Sequence, residues 1–289
     1  IMSSDWSSDV CSSDLWFFDD SVVIDIAGRY SIPHNEELDR SEWLTFLKHL
    51  VKYRKKEPIN GILVTVEADQ LLGGDVESIE AEGRILRNRV DEVIHVMGAK
   101  FPIFLLVTKC DLVFGMNRFC ELIPESAREQ AMGRLNHDGE TDIHAIVKKT
   151  MDSLVDKLKD FRLILSNSEE VRDSHYVEPE ALLFPEEMDR LRKGLQIFCQ
   201  GAFKDNPFQE LPPIRGIYFC SGQQSGRPVP ARAEGTDKME AKELPGTGHG
   251  FFLHDFFAGI LPADRYLYAP TRRAVEWQRL TGNLWLTGF

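Results

Sequence analysis

Three short segments carry side chains able to hold a purine nucleotide. Asp25-Ile-Ala-Gly28 closes the β-branched run that starts at Ser21, Thr108-Lys-Cys-Asp111 closes the wholly apolar run Phe101 to Val107, and Ser221-Gly222 closes Ile214 to Cys220. An aspartate at a strand tip can reach the shell of a Mg2+ ion, and a neighbouring glycine lets a backbone amide approach a phosphate. Asp111 offers sharper chemistry. Its carboxylate can accept from both N1–H and the 2-amino group of guanine, whereas adenine presents no such donor pair. The stem of Lys109 would lie along the ring, and the small turn at Ser221-Gly222 offers an amide to the base oxygen.

Asp25 to Gly28 has the form of the D-x-x-G element of GTPases, Thr108 to Asp111 resembles the guanine-specificity motif [NT]-K-x-D, and Ser221-Gly222 resembles the turn that touches guanine O6. The first is weak alone, because strands ending in Asp and Gly are common in α/β proteins; the order of all three is what carries weight. Ligands of open α/β sheets sit outside the carboxyl ends of the strands, so the three tips are expected to share one crevice. Arg29 stands where Ras-like enzymes keep a water-orienting glutamine, and it either binds phosphate or pairs with Glu36-Glu37. No residue is assigned a catalytic role. A phosphate-cradling G-x-x-x-x-G-K-[ST] is missing, since Lys149-Thr150 is the only Lys followed by Ser or Thr and no glycine precedes it.

These tips require strands alternating with helices. Strands are expected at Ser21 to Gly28, Ile59 to Val66, Phe101 to Val107 and Ile214 to Cys220, the third apolar throughout as in a parallel sheet covered on both faces. Helices are expected over Ser41 to Lys56 behind a Ser41 cap, Asp75 to Gly98, Ile143 to Leu165, Pro185 to Phe203 and Phe251 to Leu261. The expected fold is α/β, a small-GTPase-like, P-loop-NTPase-like doubly wound and mostly parallel sheet with a helical insertion and its P-loop missing. Residues 1–15, with three copies of Ser-Ser-Asp, read as a non-native leader. Residues 16–111 form the first part of the core, 112–211 the helical insertion, 212–270 the last part with a mobile loop over 223–250, and 271–289 the start of a juxtamembrane segment.

The chain has 289 residues and a formal net charge of −12, which argues against nucleic acid held by bulk electrostatics. Five cysteines without regular spacing point to a reducing compartment and not to a disulfide framework. His249 and His254-Asp255 have no Cys or Glu at metal-ligand spacing. The basic stretch Lys48, Lys52, Arg54, Lys55 and Lys56 reads as a solvated helix face, or as a patch facing a partner or a membrane.

The segments Val22-Val-Ile-Asp-Ile-Ala-Gly-Arg-Tyr30, Leu105-Leu-Val-Thr-Lys-Cys-Asp-Leu112 and Arg215-Gly-Ile-Tyr-Phe-Cys-Ser-Gly-Gln223, with Trp16-Phe17, Trp43 and Tyr53-Arg54, are similar to the IcmF/TssM proteins of bacterial type VI secretion. The resemblance covers nearly everything after the leader, although Ile26 departs from the family's D-T-A-G. It implies a cytoplasmic GTPase-like domain between transmembrane helices of an inner-membrane protein, a platform that partners other membrane-complex and baseplate proteins. GTP or ATP with Mg2+ would bind the intact parent, through Asp25, Gly28, Thr108, Lys109, Asp111, Ser221 and Gly222. The chain as given is expected to neither bind nucleotide tightly nor hydrolyse it. A free-standing GTPase-like switch resembling a signal-recognition-particle receptor subunit, and a pseudo-GTPase scaffold, are the alternatives.

Overall fold

The computed structural model describes residues 14–18, 21–26, 36–55, 57–166, 179–204, 213–222, 250–264, 266–267 and 269–271. In chain order the elements are β1 (Asp14–Phe17), β2 (Val22–Asp25), α1 (Glu36–Tyr53), β3 (Ile62–Glu67), α2 (Ala68–Gly73), α3 (Val76–Met97), β4 (Ala99–Lys100) and β5 (Ile103–Thr108). They continue with α4 (Met116–Leu122), α5 (Glu125–Glu129), β6 (Met132–Leu135), α6 (Ile143–Ser166), α7 (Pro179–Asp189), α8 (Leu191–Phe203), β7 (Ile214–Phe219), α9 (Leu261–Ala263) and β8 (Ala269–Pro270). A single 3-10 turn, Cys110–Leu112, follows β5, and a π-helical turn, Phe256–Ile260, precedes α9.

The main sheet has four strands in the order β3-β5-β7-β6. The pairs β3–β5 and β5–β7 are parallel, while β6 runs antiparallel to β7. The three parallel strands β3, β5 and β7 are largely apolar on both faces because both faces are covered. Val64, Val66, Leu105, Val107, Ile217 and Phe219 point into the larger core, and Leu63, Phe104, Leu106 and Tyr218 point into a smaller one closed by Phe256. Two-residue alternation thus assigns each strand side chain to one of two cores.

Helix α3 has both ends specified by its sequence. The Asp75 carboxylate accepts from the Ser78 amide at 2.9 Å, and Gly98, at φ 64°, donates its amide to Ile94 O at 2.9 Å. The glycine matters because a side chain is disfavoured in that left-handed conformation. Helix α8 packs backbone to backbone on α2 and α3: a Cβ at Gly83 would lie 2.4 Å from Phe198 O, and one at Gly194 would lie 2.1 Å from Leu71 O.

Several expectations are corrected. The α/β class stands, but the sheet is mixed, and its antiparallel strand β6 lies within 112–211, where a helical stretch was expected. Strand β2 is not a buried strand of that sheet. It forms an antiparallel hairpin with β1, and only Ile26 beyond its tip is buried, against the core that holds Trp43 and Leu47. Leu15 and Asp14, from the segment read as a leader, pair with Ile24 and Asp25. Helix α1 begins at Glu36, so Ser41 sits inside it and its carbonyl accepts from Thr45 Oγ1 at 2.8 Å. Pro185 lies within α7 and starts no helix, and Ile85 of α3 is exposed. Gly28, Arg29 and the ranges 1–13, 223–249 and 272–289 fall outside the described residues.

The α3–α8 contact makes a stability prediction. Gly83→Ala forces its methyl against the Phe198 carbonyl and lowers stability by about 2 kcal/mol, read as a fall in Tm. Gly73→Ala, which meets nothing within 4 Å, leaves Tm unchanged or slightly raised.

Candidate functional site

Because β5 and β7 are adjacent and parallel, their carboxyl ends finish side by side. Two backbone bonds tie the tips: Cys220 N donates to Val107 O at 2.8 Å, and Cys110 N donates to Cys220 O at 3.1 Å. Between them the chain turns through Lys109, whose φ of 55° is left-handed for a residue with a Cβ. That conformation costs about 1 kcal/mol. The turn continues into the 3-10 segment, with Leu112 N donating to Lys109 O at 3.0 Å. On the β7 side, Ser221 is fully buried, its amide donating to Phe251 O at 3.2 Å and its carbonyl accepting from Phe251 N at 2.9 Å. The returning segment, anchored by the buried rings of Phe251 and Phe252, therefore sets the position of the Ser221 turn.

This backbone brings Asp111 and Ser221 together. Ser221 Oγ donates to Asp111 Oδ1 at 2.5 Å. Burial pushes the Asp111 carboxyl above the ordinary aspartate value of 3.8, against the opposing pull of Ser221, its own backbone amide and Lys109; Asp69 adds a push upward. A carboxylate has about four acceptor positions. Ser221 and the amide of Asp111 engage two, which leaves capacity for a pair of donors such as guanine N1–H and the 2-amino group. Lys109 Nζ pairs with Glu67 Oε1 at 2.6 Å, and Thr108 Oγ1 donates to Val66 O at 3.4 Å, so the turn is also fastened to β3. Gly222 follows Ser221 at the half-exposed rim.

Glu67 is a member of this cluster that sequence reasoning missed. The available signal was a carboxylate at the end of the apolar run Ile62-Leu-Val-Thr-Val, the same form that marked Asp25. Asp25 itself sits elsewhere, on the hairpin opposite Asp14, where burial raises its carboxyl and the Asp14 charge adds to the effect. The strand tips of the main sheet therefore gather Thr108, Lys109, Asp111 and Ser221, with Asp25 in a separate sheet. Cys110 and Cys220 are buried, and burial pushes the Cys220 thiol up to about 12 and that of Cys110 well above its usual value, so both serve as small apolar groups.

The residues fit a purine base better than a metal. The half-buried carboxylate and its serine suit a ring edge with two donors. Among the described residues, no group of three His, Cys, Asp or Glu could hold a metal ion. A cleft of about 660 Å³ lies at the opposite end of the sheet, by Gly61, Ile62 and Pro102 at the starts of β3 and β5. Its walls combine Trp43, Phe46 and Leu47 with the polar side chains of Ser21, Arg54 and Asn60.

The family described as the IcmF-related N-terminal domain matches residues 36–289. The chain is also similar to the type VI secretion system component TssM1 of Pseudomonas aeruginosa, 32% identical over 289 aligned positions that cover 95% of the chain and 25% of that relative. It therefore spans about a quarter of the relative's length. No solved structure matches. Among the described residues, no helix is long and apolar enough to cross a membrane.

Two consequences for stability follow from Asp111. Its carboxyl is raised in the folded chain, so folding favours the protonated form, and the stability this contributes is present at low pH and lost as pH rises past 3.8. Asp111→Asn, whose amide oxygen still accepts from Ser221, melts higher than the parent at neutral pH, and the gap closes as the pH of the melts is lowered below 3.8. Ser221→Ala removes the donor from a half-buried carboxylate and costs about 2 kcal/mol in denaturant unfolding.

Proposed function

The chain belongs to the IcmF-related family, and we propose that it is a GTPase-like domain of a type VI secretion membrane-complex component. In this reading it faces the cytoplasm of a protein anchored in the bacterial inner membrane by segments outside the described residues. It acts as a platform on which membrane-complex and baseplate proteins assemble. The observation that carries the nucleotide part is the Asp111 carboxylate, held by Ser221 with two acceptor positions left at the tip of a buried parallel strand.

Each residue then has a distinct task. Asp111 accepts from the purine edge, Ser221 holds that carboxylate in place, and the Gly222 amide lies at the rim for the base oxygen. Glu67 fixes Lys109 Nζ, which sets the course of the lysine stem across the turn where the ring would lie. A bound GTP would supply phosphates whose arrival or loss changes the domain's fit to its partners, with Gly28 and the indirect Mg2+ contact of Asp25 as the expected phosphate-side groups. No hydrolytic step is derived from the residues described. The placement of Asp25 on the separate hairpin favours, as a second reading, a scaffold that holds partners without turnover.

Nucleotide-binding calorimetry on the protein with its upstream region tests the first reading. Asp111→Asn is expected to weaken guanosine nucleotide and strengthen xanthosine nucleotide, reversing the preference by roughly tenfold or more, since a buried donor–acceptor match is inverted. An unchanged preference removes Asp111 from the base site. Loss of all nucleotide binding in the wild-type protein, with its assembly intact, selects the scaffold.

A further inference from the structure

We infer that the carboxyl-terminal end of α1 is a docking surface for an anionic lipid bilayer. Lys48, Lys52, Arg54 and Lys55 are all exposed within eight residues, together with His49 and a Tyr53 that is 75% exposed. The acidic residues of α1, Glu36, Glu37, Asp39 and Glu42, lie in its amino-terminal half. The helix dipole explains acids at the start and bases in the last turn. It does not explain Arg54 and Lys55 beyond that turn, nor a tyrosine held in water among them. Lysine and arginine with an exposed aromatic ring is the composition that suits a lipid headgroup layer: flexible stems carry cations to the phosphates while the ring settles at headgroup depth.

Position in the fold supports this assignment. Leu50 and Arg54 line the same cleft as Gly61 and Pro102, so the basic end of α1 lies at the amino-terminal end of the parallel strands. Tyr266, 76% exposed, lines that cleft too. The last described residues reach the same end: β8 pairs with β4, Thr271 N donates to Gly98 O at 2.9 Å, and the sequence continues with Arg272-Arg273. Of the two acids that line the cleft, Asp264 is paired with Arg215 at 2.6 Å, while Glu57 accepts from the neutral Asn60 amide at 3.2 Å and keeps its charge. Bilayer contact here would turn the opposite end of the sheet, with Asp111 and Ser221, away from the lipid and towards partners.

The inference rests on the proposed function only in taking the parent protein to be membrane-bound. Its test is co-sedimentation of the chain with vesicles of phosphatidylcholine containing about one-third phosphatidylglycerol, against vesicles of phosphatidylcholine alone. Binding is expected on the anionic vesicles, weakening as salt is added. The triple variant Lys48→Gln, Lys52→Gln, Lys55→Gln should bind at least roughly tenfold more weakly, and Tyr53→Ser more weakly than wild type. Lys157→Gln, Lys193→Gln, Lys204→Gln, which removes the same charge from exposed positions elsewhere, should bind like wild type. All six lysines are on the surface, and matching melting curves establish that the variants fold. Absence of binding to the anionic vesicles, binding without preference for them, or a first triple variant that binds as tightly as wild type overturns the proposal, the first in favour of an acidic protein partner. The nucleotide preference of Asp111→Asn is read in a separate assay, so either result can fail while the other stands.

Discussion

Parallel strands that are hydrogen-bonded neighbours must end at the same edge of their sheet, and here that constraint acts on β5 and β7. Residues more than a hundred positions apart in the chain are placed in contact by two backbone bonds, Cys220 N to Val107 O and Cys110 N to Cys220 O. The pairing is itself driven by burial. Both strands are covered on two faces, and slipping the register by one residue would exchange their side chains between the two cores. The contact between Ser221 and Asp111 depends on that register, as do the left-handed turn at Lys109 and the reach of its ammonium to Glu67.

The cluster carries features that folding alone would not select. A half-buried carboxylate with a raised pKa, a lysine at positive φ and a fully buried serine hydroxyl all lie within one turn of the strand tips. Each costs something in a domain whose stability rests on apolar packing. Such groups persist when the surroundings over-determine them, and here the surroundings are the Phe251 bridge to Ser221, the Lys109–Glu67 pair and the buried tip cysteines. Concentration of these costs at the carboxyl end of a parallel sheet agrees with a ligand-facing role.

The sheet also gives the domain two unlike ends. One presents the carboxylate, serine and lysine cluster. The other presents the exposed Tyr53 and Tyr266 and the basic end of α1 beside a cleft lined by both apolar and charged side chains. Helices α3 and α8, in contact through Gly83 and Gly201, hold the ends in a fixed relation because backbone-to-backbone packing leaves little room to slide.

Local sequence determined the parts whose physics is local. The apolar run at β5, the Asp75 and Gly98 ends of α3, and the residue types at Thr108 to Asp111 and Ser221 were all readable, because period, caps and tip chemistry are properties of adjacent residues. The family was readable as well, through the order of those segments. Tertiary structure alone decided the rest. Strand β6 is short and half-exposed, and it becomes a strand only by bonding to the free edge of β7. Asp25 sits in a hairpin and not in the main sheet because its strand pairs with β1, a choice made by competition between edges that no single strand encodes. Glu67 enters the cluster because β3 lies parallel to β5 in register, with Glu67 opposite Thr108, and that register exists only once both strands are buried in the same sheet.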